Sequence, residues 1–190
     1  MDTYKEIFLM QQAFATLFSL TNKLQIQGDK YIVHVTTRQF MAMTAVAHLP
    51  EHETTLNNIA KKLGTSKQSV KQLITIIENK GLVITVPSQE DKRAINVKIT
   101  ESGKQVLLEA AEKGLFFLEN LFKDFTMEEI ESLWSLLKKL YRFDGKEQDG
   151  FEQDSVLEMN ENYHETQTRV IKEFERRRNQ SKNRGLEDEE

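Results

Sequence analysis

The sequence predicts a mainly α-helical fold in which two short helices lead directly into a two-stranded β-hairpin. Three observations predict it. Only two of 190 residues are Pro and eight are Gly, and apolar residues recur at helical spacing through most of the chain. β-Branched, strand-like composition appears in two short runs, Leu82–Val86 and Ala94–Ile99, around turn chemistry at Pro87–Lys92. The length fits one ordinary domain plus an extension.

The elements follow in order. Tyr4–Gln27 is a long amphipathic helix with Ile7, Phe8, Phe14, Leu17, Phe18 and Leu24 on its apolar stripe. Gly28-Asp29-Lys30 breaks it. Thr37–Leu49 is apolar on most sides, which predicts a central helix, and Pro50 stops it. Leu56–Leu63 is barely two turns, with Thr54 and Thr55 as candidate caps. Gly64 ends it in a left-handed position, and Ser66–Asn79 begins almost at once. So tight a turn forces a steep crossing, the helix-turn-helix arrangement. Lys80-Gly81 closes the second helix before the hairpin. Glu101–Lys123 then runs as a long helix with Val106, Leu107, Ala110, Ala111, Leu115, Leu118, and Leu121 or Phe122 inward. Met127–Phe143 is the last of the series, with Thr126 as cap and Glu129 completing a capping box.

The helix Ser66–Asn79 carries the chemistry. Val70, Leu73, Ile74 and Ile77 share one face, and Gln68, Gln72, Thr75 and Asn79 lie opposite, flanked by Lys67, Ser69 and Lys71. Gln can bond an adenine edge bidentately and Lys can neutralise phosphates. Taken alone, the same helix fits an ordinary solvated face equally well. Its surroundings decide. Between Thr55 and Thr100 there are eight basic residues (Lys61, Lys62, Lys67, Lys71, Lys80, Lys92, Arg93, Lys98) and three acidic, a local charge of +5 in a chain of net charge −4. A basic module in an acidic protein is the footprint of a nucleic-acid partner.

Three pieces carry a family resemblance. Val35-Thr36-Thr37-Arg38-Gln39-Phe40 opens a helix, and Leu63-Gly64-Thr65-Ser66 leads through to Asn79-Lys80-Gly81-Leu82-Val83. Asp91-Lys92-Arg93 is followed by Ile99-Thr100-Glu101-Ser102-Gly103. In that order, over roughly Ile7 to Phe143, the chain resembles the winged-helix transcriptional regulators of the multiple antibiotic resistance regulator (MarR) family. The last piece matches the family's wing signature, Asp-x-Arg and then a hydrophobic-Thr-x-x-Gly entry to a long helix. One departure stands out: where the family usually has an Arg soon after the Gly-Leu-Val, this chain has Thr85.

The resemblance implies a winged helix-turn-helix over residues 1–143, with a DNA-binding module at 55–100 and dimerisation helices at about 4–27 and 101–143. It implies double-stranded DNA as partner and Thr65, Ser66, Lys67, Gln68, Ser69, Lys71, Gln72, Thr75, Asp91, Lys92 and Arg93 as contacts. In the wing, Asp91 would hold the backbone or a neighbouring Lys while Arg93 enters the minor groove, whose negative potential favours it; a surface ion pair is the alternative. Phe8, Phe14, Phe18, Phe116, Phe117, Phe122, Phe125 and Trp134 exceed what a small winged domain can cover. They point to a homodimer interface or, alternatively, to packing within a helical bundle. Family members commonly bind a small aromatic anion between the dimer helices and the winged module. Tyr31, His34, Arg38, Met41 and Met43 fall where such a cleft would be lined, or simply pack the second helix.

Other classes are excluded or disfavoured. With no Cys there are no disulfides, thiolate metal sites or thiol redox sensing. No apolar run approaches the roughly 18 residues of a membrane span, and the N-terminus lacks the form of a signal peptide, so a cytoplasmic location is expected. No nucleophile elbow, phosphate loop or active-site carboxylate pair points to an enzyme, and no cofactor is implied. His48 and His52 have metal-ligand spacing on a helix, but Pro50 between them breaks that geometry. Beyond Phe143 the charge is segregated: −7 over Asp144–Glu165, +5 over Thr166–Arg184 and −4 over Gly185–Glu190. This tail reads as an acidic linker and a charged helix, Tyr163–Asn179, edged by Val170, Ile171 and Phe174. The helix is expected to be solvated. Two alternatives are a second DNA or partner contact through Glu175–Arg178, and masking of the basic surface by the acidic linker. The sequence thus points to a homodimeric regulator, a repressor on a pseudo-palindromic duplex. The competing reading is a winged-helix interaction module recruiting a partner through its tail.

Overall fold

The computed structural model describes residues 2–89, 91, 93–145, 151 and 168–179. Helix α1 (Thr3–Gly28) is followed by α2 (Thr37–Ala47), a 3-10 turn (Glu51–Glu53), α3 (Leu56–Lys62) and α4 (Lys67–Asn79). Strands β1 (Val83–Pro87) and β2 (Ile95–Ile99) come next, then α5 (Glu101–Leu121) and α6 (Met127–Tyr141). A further helix, α7, covers 168–179.

Caps explain most boundaries. Thr36 and Gln39 form a reciprocal capping box at the start of α2, and Thr126 and Glu129 do the same for α6. Of the two candidates ahead of α3, Thr55 is the cap, because its side chain accepts the Asn58 N–H. Thr54 is buried and donates its hydroxyl to the Glu51 carbonyl. Helix α2 ends at Ala47, two residues short of the expected Leu49, because the residue preceding Pro50 is biased out of the helical region. Gly64 and Gly81 have φ of +61° and +72°. Each ends its helix with the paired carbonyl bonds of a Schellman turn, Thr65 N–H to Ala60 O and Leu82 N–H to Ile77 O. Leu82 is spent on that turn, so β1 starts one residue later than its β-branched composition suggests.

The core lies where α2, α3, α4 and the hairpin meet. Met43, Ile59, Val70, Ile77, Val83 and Val97 are its largest fully buried side chains. Helix α2 is central as expected, with Ala42, Met43 and Ala45 completely covered. The strands pair antiparallel from Val83↔Ile99 to Pro87↔Ile95. Helix α5 is pressed onto the end of α4: a Cβ on Gly103 would stand 1.9 Å from the Leu82 carbonyl oxygen. That contact supplies a steric reason for glycine at the end of the Thr-x-x-Gly motif. Thr100 reinforces it by capping α5 and donating its hydroxyl to the Gly81 carbonyl, 2.8 Å away.

The remaining helices are covered far less. Helix α6 has no buried residue, and in α1 only Gly28 is buried. The aromatic surplus divides accordingly: Phe116, Phe117 and Phe122 are half-buried, whereas Phe8, Phe14 and Phe18 are exposed.

Helix α7 corrects the expectation of a solvated helix. It docks on α5: Val170 is buried, Arg169 pairs with Glu112 at 3.2 Å, and the Arg177 guanidinium stands 4.1 Å from the Phe116 ring centre. Arg178 donates to the Phe122 and Phe125 carbonyls. A helix C-terminus leaves carbonyls unsatisfied, and a cationic donor fork answers both their hydrogen bonding and their partial charge. Ile171, expected on the apolar edge, is instead exposed. Arg177 and Arg178 are turned toward α5 and not outward for a second contact, while Glu175 and Arg176 stay exposed. The acidic linker lies outside the described residues except for Asp144, Gly145 and Phe151, as do residues 163–167 of the expected helix. No helix among the described residues is long and apolar enough to cross a membrane.

Candidate nucleic-acid interface

Helix α4 presents its polar face outward. Ser66 caps it, accepting from the Ser69 N–H at 3.1 Å and sharing a hydroxyl contact with Ser69 at 2.9 Å. Those two hydroxyls therefore anchor the start of the helix. Thr65, Lys67, Gln68, Lys71, Gln72 and Thr75 are exposed, and Ser69 is half-buried. Thr75 bonds back to the Lys71 carbonyl at 2.9 Å. Behind this face Val70, Ile74 and Ile77 are buried in the core, which fixes the rotation of the helix.

The hairpin tip is closed by its own hydrogen bonds. The Asp91 carboxylate accepts the Arg93 N–H at 2.9 Å, the Ala94 N–H bonds the Asp91 carbonyl at 2.8 Å, and the Ser88 N–H bonds the Ala94 carbonyl at 3.0 Å. Asp91 thus shapes the turn that carries Arg93, and both side chains are exposed. Lys92 lies outside the described residues.

Three of the eight basic residues that give the module its charge are engaged by partners within the chain. Lys62 is buried, its ammonium 5.3 Å from the Phe151 ring centre. Lys98 pairs with Glu51, and that hydrogen bond and charge hold the Glu51 carboxyl below the ordinary range. Lys80 reaches across to α2, donating to the His34 carbonyl at 2.8 Å and Gln39 Oε1 at 2.9 Å. His34 has φ of +70°, uncommon for a residue with a side chain. Lys61, Lys67, Lys71 and Arg93 remain on the surface.

Thr85 has a defined partner. Its N–H and hydroxyl both donate to Glu78 Oε1, at 2.8 and 2.7 Å, tying β1 to α4. Composition and periodicity give no sign of Lys80–Gln39 or Thr85–Glu78, because each joins residues on different elements.

A cleft of about 750 Å³ opens between the helix-turn-helix and the long helices. Arg38 and Met41 of α2 line it with Leu63 to Thr65, Leu73, Phe117, Leu121, Trp134 and Tyr141. Three expected lining residues are elsewhere. Tyr31 stands behind the wall, its ring 5.4 Å from that of Phe117 and its hydroxyl accepting from Asn120. His34, at its positive φ, faces Glu109 at 3.7 Å. Met43 is in the core. Among the described residues no three His, Asp or Glu converge as metal ligands; the His48 ring meets Phe151 edge-on, and His52 lies beside Glu53.

A helix-turn-helix running into a two-stranded wing, with long helices on either side, defines a winged-helix protein. Residues 35–94 match the family model described as MarR family. The transcriptional repressor MprA of Escherichia coli strain K12 is 25% identical over 152 residues, spanning 77% of this chain and 83% of that protein. An uncharacterized HTH-type transcriptional regulator, YfiV of Bacillus subtilis strain 168, is 30% identical over 87 residues, 46% of this chain and 54% of that one. The crystal structure of an Escherichia coli MarR variant complexed with operator DNA superposes with a TM-score of 0.60 at 23% identity, covering 74% of this chain and 99% of that chain. The MarR match thus spans α2, the helix-turn-helix and the first part of the wing, and the solved structure shares the fold around it.

Proposed function

We propose that the protein is a transcriptional repressor that binds a pseudo-palindromic duplex as a homodimer. One observation carries the reading: the exposed face of α4, bearing Lys67, Gln68, Lys71, Gln72 and Thr75, stands on a buried core beside a closed wing turn bearing Arg93. In this reading Gln68 and Gln72 read base edges in the major groove, Lys67 and Lys71 meet phosphates, and Arg93 enters the minor groove. Thr65, Ser66 and Ser69 set the helix N-terminus against the backbone, and Asp91 and Lys92 support the wing contact. The exposed apolar faces of α1 and α6 supply the second copy's docking surface, which sets two reading helices on one side of the duplex.

The cleft favours a second layer, in which a small aromatic anion regulates binding. Its walls are apolar and aromatic, and Arg38 at its edge can meet a carboxylate. A ligand there would favour one separation of the reading helices over another.

Fluorescence-anisotropy titration against the duplex upstream of the protein's own gene, with a shuffled duplex as control, tests the reading at physiological salt. Nanomolar binding with about a thousandfold preference or more is expected. Equal, micromolar, salt-sensitive binding to both would reduce α4 to a basic surface.

A further inference from the structure

A two-stranded hairpin is marginal on its own and does not fix its own direction. The wing therefore depends on what holds it, and one rung is held from both sides. In antiparallel strands alternate pairs turn their N–H groups away from each other. The pair Thr85↔Val97 is of that kind. The Val97 N–H leaves β2 to meet the Thr54 carbonyl ahead of α3, at 3.0 Å. The Thr85 N–H leaves β1 to meet Glu78 Oε1 on α4, and the Thr85 hydroxyl makes a second bond to the same oxygen.

The two sides are built differently. β2 has further support: Asn96 Nδ2 donates to the Glu51 and His52 carbonyls at 3.1 Å, and Lys98 pairs with Glu51. β1 is joined to the reading helix by a side-chain pair, and that pair is charge-assisted and half-buried. Glu78 stands on a fixed post, because Lys80 in the C-cap position ties the end of α4 to the start of α2. The bond also commits one of the module's three carboxylates to two donors, away from any phosphate.

We propose that Glu78 and Thr85 are positioning residues that aim the wing, and with it Arg93, relative to the groove in which α4 lies. This rests on the DNA-binding reading above. The test uses the full-length chain and a duplex enriched by the wild type from a random pool. Glu78→Ala is expected to weaken binding about tenfold, a coupling of ordinary size for residues in one network. Glu78→Gln keeps an acceptor oxygen and should stay within about threefold of wild type. In an Arg93→Ala background, Glu78→Ala should add less than about twofold, because there is no longer an arginine to aim. Hydroxyl-radical footprints should lose the flanking minor-groove protection while the central protection by α4 persists. Thr85→Val, which keeps the backbone N–H, is the milder variant and should reproduce the footprint change if Glu78→Ala lowers the melting temperature. Losses that multiply with Arg93→Ala, or wild-type footprints in both Thr85→Val and Glu78→Ala, would overturn the inference. A wild type that enriches no duplex would instead overturn the DNA-binding reading itself.

Discussion

The winged module and the long-helix arms are made of the same material and end up differently. Both are amphipathic helices with aliphatic residues at helical spacing. In α4, Val70, Ile74 and Ile77 are covered by α2, α3 and the wing. In α6, Trp134, Leu136 and Leu140 are 45%, 64% and 50% exposed, and in α1 Phe14 and Phe18 are 72% and 71% exposed. An apolar face costs solubility unless something covers it. The module finds its cover within one chain; the proposed homodimer provides it for the arms from a second. The comparison teaches that the proposed reading surface is fixed within one chain, whereas the spacing of two such surfaces would belong to the proposed homodimer.

Several substitutions would break or sharpen this contrast. The largest effect is expected at the centre of the module. Ile77→Ala removes a fully buried side chain and should cost about 2–5 kcal/mol of folding stability, read by urea denaturation; a cost below 1 kcal/mol would mean the module is not the stable half. Next come the arms. Phe14→Ala with Phe18→Ala should cost about 2 kcal/mol or more of association free energy for each aromatic anchor. Sedimentation would then show dissociation of a dimer while the module's unfolding cooperativity is retained. Unfolding of the whole chain would place those rings in the monomer core instead.

Smaller effects separate the contacts on the reading surface. Arg93→Ala should weaken duplex binding by about 1–3 kcal/mol. Lys71→Ala should weaken all duplexes alike and lower the salt slope, whereas Gln72→Ala should erode discrimination between sequences. A change in sequence preference with Lys71→Ala would reverse those roles. The smallest effect concerns α7. Hydrogen bonds from Arg176 and Arg177 lower the Glu173 carboxyl to about 2. Its folded value lies below its unfolded one, so the contribution is present above about pH 4.5 and is lost as pH falls toward about 2. Arg176 faces solvent and Glu173 is only partly covered, so the contribution to stability is slight. A side-chain NMR titration of Glu173 should show a midpoint near 2; a midpoint in the ordinary carboxylate range would mean the pair is open in solution.

Much of this architecture could be read in advance because it is local. Gly64 and Gly81 mark left-handed turns, Thr126 with Glu129 marks a capping box, and a spacing of three and four marks the buried face of α4. The wing was readable from β-branched residues around a turn. What could not be read joins distant residues. Lys62, Lys80 and Lys98 count as free charge in a sum, yet each is engaged by a partner on another part of the chain. Thr85 could be recognised as a departure from the family pattern, but its partner Glu78 lies on another element. The docking of α7 depends on carbonyls in the turn just past α5, which periodicity does not reveal. Tyr31, His34 and Met43 lie off the cleft because contacts with Phe117, Glu109 and the core, each from another element, hold them elsewhere.

The most direct test of the central claim is enrichment of bound duplexes from a random pool by the wild-type chain. A homodimer presenting two α4 helices should enrich an inverted repeat whose half-site centres lie about 34 Å, one helical turn, apart. Enrichment of a single unpaired half-site, or of no sequence at all, would contradict it.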